Sequence, residues 1–173
     1  ALFISDPAAI EPIIKGGGQE TGLRSGTENL ANILGFVSAV EHRLGEMKAG
    51  AQFEISKKRN YLESMVKDVS KETIIVGEEV NRLPNTSYLL TPGWKGYEQV
   101  AGLDLEGFSV SSGMACASGK TGIGRGLISM GYTKESSECG IRVSIGLSTS
   151  NTDLEKFVDV WSSQVKNWKS QAA

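Results

Sequence analysis

Cys116 stands in the run Ser111-Ser112-Gly113-Met114-Ala115-Cys116-Ala117-Ser118-Gly119-Lys120, built almost wholly of glycine, alanine and serine. A structural cysteine is wrapped in apolar side chains, whereas a nucleophilic one needs access and a way to lose its proton. With no bulky neighbours to bury it, Cys116 is the candidate nucleophile. Arg142 falls in Ile141-Arg142-Val143-Ser144-Ile145-Gly146, which alternates with period two, so that Arg142 and Ser144 face away from the buried phase. A guanidinium on such a strand calls for an anion. Its two-pronged edge suits a carboxylate, and an internal ion pair with one of the 20 acidic residues is the alternative. The third candidate is the glycine-rich loop from Gly16 to Thr27. It delivers Thr27 at a helix N-terminus, where N–H groups and the helix dipole favour an anion, and Arg24 adds charge. Alternatively, Thr27 merely caps its helix and the glycines merely turn the chain.

Other features carry less. Gly113 to Thr121 approaches a phosphate-binding loop, but five residues separate Gly113 from Gly119 where four are required, and no later strand ends in a magnesium-binding aspartate. Cys139 follows Glu135-Ser136-Ser137-Glu138, whose acidity suppresses thiol reactivity, so it is expected to be structural. His42, the one histidine, lies between Glu41 and Arg43 on a solvated flank, and the two cysteines lack metal spacing, so no metal site is expected. The turn Trp94-Lys95-Gly96-Tyr97 reads as surface structure. A net charge of -2 gives no reason to expect nucleic acid or an anionic membrane as partner. No apolar run approaches the roughly 20 residues of a membrane span, no signal peptide opens the chain, and two cysteines make no disulfide scaffold; a reducing, cytoplasmic location is the expectation.

These residues must be positioned by a small set of elements. Leu2 to Ser5 reads as a strand with no lead-in, which points to a fragment whose strand edge another copy covers. Leu30, Ile33, Leu34, Val37, Val40 and Leu44 form one stripe of a helix, interrupted at Gly45 and Gly50 and resumed through Phe53, Leu62, Met65, Val66 and Val69. Strands are predicted over Thr73–Gly77, Asn85–Leu90 and Leu105–Val110, with a short helix from Gly96 to Leu103 and one or two helical turns from Gly126 to Met130. Thr152-Asp153-Leu154-Glu155 reads as a capping box opening a last helix that buries Leu154, Phe157, Val158, Trp161, Val165 and Trp168.

Three segments, in this order, resemble the cysteine desulfurases, class V aminotransferase-like enzymes dependent on pyridoxal phosphate. Gly16-Gly17-Gly18-Gln19-Glu20 with Arg24-Ser25-Gly26-Thr27-Glu28-Asn29 is similar to their glycine-rich loop, Ser112 to Gly119 to their active-cysteine loop, and Ile141 to Gly146 to their arginine strand. The resemblance implies an α/β fold: residues 1–29 as the tail end of the large cofactor-binding domain, 30–71 as a long, interrupted connecting helix, and 72–173 as a small C-terminal domain with helices packed on one face of its sheet. It implies Cys116 as the catalytic nucleophile that becomes a persulfide, and Arg142 as the anchor for the carboxylate of L-cysteine. It implies Thr27 as a ligand to the cofactor phosphate of the neighbouring subunit in a homodimer. A sulfur acceptor or iron–sulfur scaffold protein is the implied partner. Family members hold pyridoxal 5'-phosphate as a Schiff base on a lysine that follows a histidine, and this chain contains no His-Lys pair. It also lacks the family's ring-stacking histidine and the aspartate that pairs with the ring nitrogen. Met114 stands where serine is common in the family. The resemblance thus implies a C-terminal portion, inactive alone, of an enzyme that converts cysteine to alanine. A stand-alone persulfide carrier or scaffold-docking module, and a selenocysteine lyase-like relative, are the alternatives.

Overall fold

The computed structural model describes residue 2, residues 11–113 and residues 125–172; Cys116 and all of the expected opening strand except Leu2 lie outside the described residues. The chain forms two compact units, Ala1–Lys48 and Ala49–Ala173.

In the first unit the glycine-rich loop is folded on itself. The Ser25 amide and hydroxyl both donate to the carbonyl of Ile14, at 3.1 and 3.0 Å. A short 3₁₀ turn, Gln19–Gly22, carries Glu20 and Thr21 in the left-handed region, at φ 49° and 57°. L side chains adopt that conformation at a cost, so strain is stored in the loop. Helix α1 (Leu30–Lys48) follows and buries none of its residues, leaving the stripe from Leu30 through Leu44 exposed. Its cap is Asn29, whose Oδ1 accepts from the Asn32 amide at 3.3 Å.

The second unit opens with α2 (Ala51–Val69). Gly45, expected to interrupt the helix, lies inside α1; the break falls at Ala49–Gly50, where Gly50 adopts φ 86°. Strands β1 (Ile74–Ile75), β2 (Thr86–Leu90), β3 (Ser111–Ser112) and β4 (Gly140–Ser144) form an antiparallel sheet in the order β1-β2-β4-β3. Between them run α3 (Gly96–Leu105), α4 (Arg125–Ser129) and α5 (Lys134–Ser137), and α6 (Asn151–Ala172) closes the unit. Leu89, Ile141 and Val143 on one face of the sheet join Ile55, Leu62 and Val66 of α2, Leu103 of α3, and Leu154, Phe157, Trp161 and Val165 of α6 in a single core. Alternation along the strands sends Tyr88 and Arg142 to the opposite face. The loop before β2 is tied to α2 by Arg82, whose two Nη atoms donate to Glu63 at 2.8 and 2.7 Å.

Three expectations shift. The strand leading to the cysteine run is not Leu105–Val110: α3 continues to Leu105 and ends with the Phe108 amide bonded back to the Leu103 carbonyl, so the strand forms later, as β3. The last helix begins at Asn151, because Ser150 and Asp153 cap it reciprocally: the Ser150 amide donates to Asp153 Oδ2 at 2.8 Å, and the Asp153 amide to Ser150 Oγ at 3.1 Å. Trp94 is buried, not superficial; its ring stacks on Trp168 at 5.8 Å and tilts against Trp161 at 6.2 Å. No helix among the described residues is long and apolar enough to cross a membrane.

Candidate active site

Arg142 lies at the centre of a three-strand row. In the register of the sheet it faces Tyr88 of β2 on one side and Ser111 of β3 on the other, so all three side chains share the face turned from the core. Arg142 is half-buried, and among the described residues it forms no ion pair with an acidic side chain. The nearest rung of β3 fixes the start of the cysteine run. Ser111 is paired with Arg142, and Cys116 follows it by five positions in the chain. Fully extended, that connection spans at most about 18 Å.

Tyr88 seats its ring over Gly140. A Cβ at Gly140 would fall 2.1 Å from Tyr88 Cε1 and 2.8 Å from Cζ and Oη, a space no side chain could share. Burial raises the Tyr88 phenol above its usual range, while the Gly113 amide and the Arg142 charge pull it back, and Cys139 adds a smaller upward push. The phenol therefore stays neutral near neutrality. Beyond Tyr88 and Gly113 lies a cavity of about 420 Å³, walled among the described residues by apolar groups that include Val76, Leu83, Leu127 and Met130.

The other candidates separate. Cys139 is 2% exposed and its Sγ donates to the Glu135 carbonyl at 3.2 Å, the setting of an inert thiol. Beside it Lys95 pairs with Glu138 at 2.7 Å, which raises the lysine and lowers the carboxyl from their ordinary values. His42 is exposed and faces Glu46 at 3.4 Å. Thr27 belongs to the first unit and is exposed. Asn29, not Thr27, caps α1, so capping does not account for Thr27. Arg24 Nη1 donates to the carbonyls of Gly26 and Thr27, at 3.1 and 3.0 Å, which fixes a positive charge beside Thr27. A hydroxyl, a guanidinium and a helix N-terminus are the donor types that a phosphate monoester takes, so this loop fits the phosphate end of pyridoxal phosphate. No group of three or more His, Cys, Asp or Glu among the described residues is arranged for a metal ion.

The strand phase read from the sequence puts Arg142 on the face where the structure has it, but the sequence alone does not show that Tyr88 packs over Gly140. Their pairing depends on strand register, which a single sequence does not carry; the one local signal was Tyr88 in phase with Thr86 on a short strand.

The antiparallel sheet thus has its main core on one face and, on the other, an arginine that has no acidic partner among the described residues. The profile described as Aminotransferase class-V matches residues 12–157, and the chain belongs to that family. Among curated relatives, a cysteine desulfurase IscS of Dictyoglomus turgidum is 34% identical over 160 residues, 92% of this chain and 40% of that protein. A cysteine desulfurase IscS 1 of Archaeoglobus fulgidus is 29% identical over 174 residues, covering 99% of this chain and 44% of its own. The X-ray structure of a NifS-like protein from Rickettsia africae matches with a TM-score of 0.77 at 32% identity, over 90% of this chain and 40% of that one. The chain thus spans about two fifths of the length of these relatives, and its α/β architecture is the one expected from the sequence.

Proposed function

We propose that these residues are the C-terminal part of a cysteine desulfurase in which Cys116 takes sulfur from L-cysteine while Arg142 holds the substrate carboxylate. The observation that supports this most is the rung that pairs Arg142 with Ser111, five residues before Cys116. It sets the guanidinium of Arg142 beside the strand that leads, in sequence, into the cysteine run. Arg142 offers a planar fork with no acidic partner among the described residues, and its half-buried position strengthens a carboxylate contact relative to open water.

The Cys116 thiolate attacks the sulfur of the bound cysteine and forms an S–S bond. The carbon–sulfur bond breaks with its electron pair left on carbon, which takes a proton and departs as alanine, leaving Cys116 as a persulfide. Pyridoxal phosphate, when bound, supplies the electron sink that makes bonds at the substrate carbon labile. Thr27, with Arg24 beside it, would hold the phosphate of the cofactor in the neighbouring subunit of a homodimer. Glycine and alanine around Cys116 let the persulfide be handed to an acceptor, such as an iron–sulfur scaffold protein. The 173 residues alone carry no His-Lys pair to hold the cofactor, and by this reading they make no alanine.

Alanine formation from L-cysteine by the complete protein tests the proposal. Cys116→Ala is expected to abolish it, and Arg142→Ala to raise KM for cysteine about 30-fold or more. Undiminished turnover in Cys116→Ala would exclude this role for the thiol.

A further inference from the structure

The carboxylate-binding role of Arg142 leaves open what holds its long side chain in a productive pose. An arginine side chain has many rotamers to lose, and a pre-positioned guanidinium loses fewer of them when a ligand binds. On the polar face of the sheet Arg142 is flanked across the strands by Tyr88 and Ser111. Along its own strand the next residue on that face is Gly140, and the Tyr88 ring fills the space above it. The ring of the residue paired across the strand from Arg142 thus lies over the next same-face position of Arg142's own strand, close enough for the arginine charge to act on the phenol.

Resting on the reading of Arg142 as the carboxylate anchor, we propose that Tyr88 is a positioning residue whose ring, seated over Gly140, fixes the Arg142 guanidinium to receive the carboxylate of an amino acid. A phenol suits the task better than a carboxylate would. An aspartate or glutamate at position 88 would pair with Arg142 and compete with the substrate, whereas the phenol of Tyr88 is neutral and confines the guanidinium without neutralising it. Gly140 is then required as glycine because the ring approaches its backbone, and not because of a turn: any Cβ there would evict the phenol.

Steady-state kinetics of the complete protein with L-cysteine test this, with Arg142→Ala as reference. Tyr88→Ala is expected to raise KM about tenfold with a much smaller change in kcat, and Tyr88→Phe to recover most of that loss because the ring acts and not the hydroxyl. Gly140→Ala should reproduce the Tyr88→Ala defect, and the double variant should be no worse than either single one. Thermal unfolding of the 173-residue chain gives an arm independent of turnover: Gly140→Ala should lower Tm, and adding Tyr88→Ala should restore part of the loss. An unchanged KM in Tyr88→Ala while Arg142→Ala raises it would overturn the positioning role alone, as would additive effects in the double variant. An unchanged KM in Arg142→Ala would overturn the anchor, and the role of Tyr88 with it.

Discussion

Gln99 shows how much of the site depends on residues that never meet a substrate. It is fully buried, and its Nε2 donates to the carbonyls of Trp94 at 3.0 Å and Cys139 at 3.2 Å, while the Trp161 indole donates to its Oε1 at 3.3 Å. One amide thus ties the turn before α3, the residue that leads into β4 and the core face of α6 together, immediately before the Gly140–Arg142 stretch. Gln99→Leu would keep the volume and strand two buried groups, the Trp94 carbonyl and the Trp161 indole, while the Cys139 carbonyl keeps the Thr91 amide; each stranded group costs about 1–3 kcal/mol. A loss of roughly 2 kcal/mol or more in urea unfolding is expected; a loss below about 1 kcal/mol would show that the two groups find other partners. None of this was legible in the sequence, where Gln99 looked like any polar residue of a short helix and Trp94 like part of a surface turn. Arg142 was legible, because a charged residue in the exposed phase of a period-two strand stands out in any register.

The elements were read well where periodicity was strong and poorly where capping or a strand of two residues decided the boundary. α6 declared its buried face in six apolar positions, but its cap is Ser150, because the Ser150–Asp153 pair closes the box that the Thr152–Glu155 spacing suggested. β1 and β3 are two residues each, too short for alternation to register. The two ends of α6 have a shared pH dependence. Hydrogen bonds from the Ser150 amide and hydroxyl hold Asp153 below its ordinary range, and Lys169, paired with Glu72, holds that carboxyl down as well. Depressed carboxyls contribute stability above their unfolded pKa, and that contribution is lost as pH falls through the folded value. Asp153→Asn and Glu72→Gln should therefore each lower Tm slightly at pH 7, with the deficit shrinking toward pH 3; a deficit constant across that range would show that charge is not the cause.

At the scale of the molecule, the proposed chemistry is distributed. The cysteine run and Arg142 belong to the unit Ala49–Ala173, and the phosphate-type donors at Thr27 and Arg24 to the unit Ala1–Lys48. The class-V profile runs through both units, yet the chain spans about two fifths of its relatives. The three motifs were visible in the sequence because each is a local run of residues; how their elements pair was not, since pairing is a property of the folded sheet. The claim that unites them is that Cys116 accepts the substrate sulfur. Its most direct test is the mass of the peptide bearing Cys116 after exposure to L-cysteine, measured without reductant, for the complete protein and for the 173-residue chain. Expected is a gain of one sulfur atom on that peptide in the complete protein and none in the chain alone. An unmodified Cys116 in a complete protein that nonetheless forms alanine would contradict it.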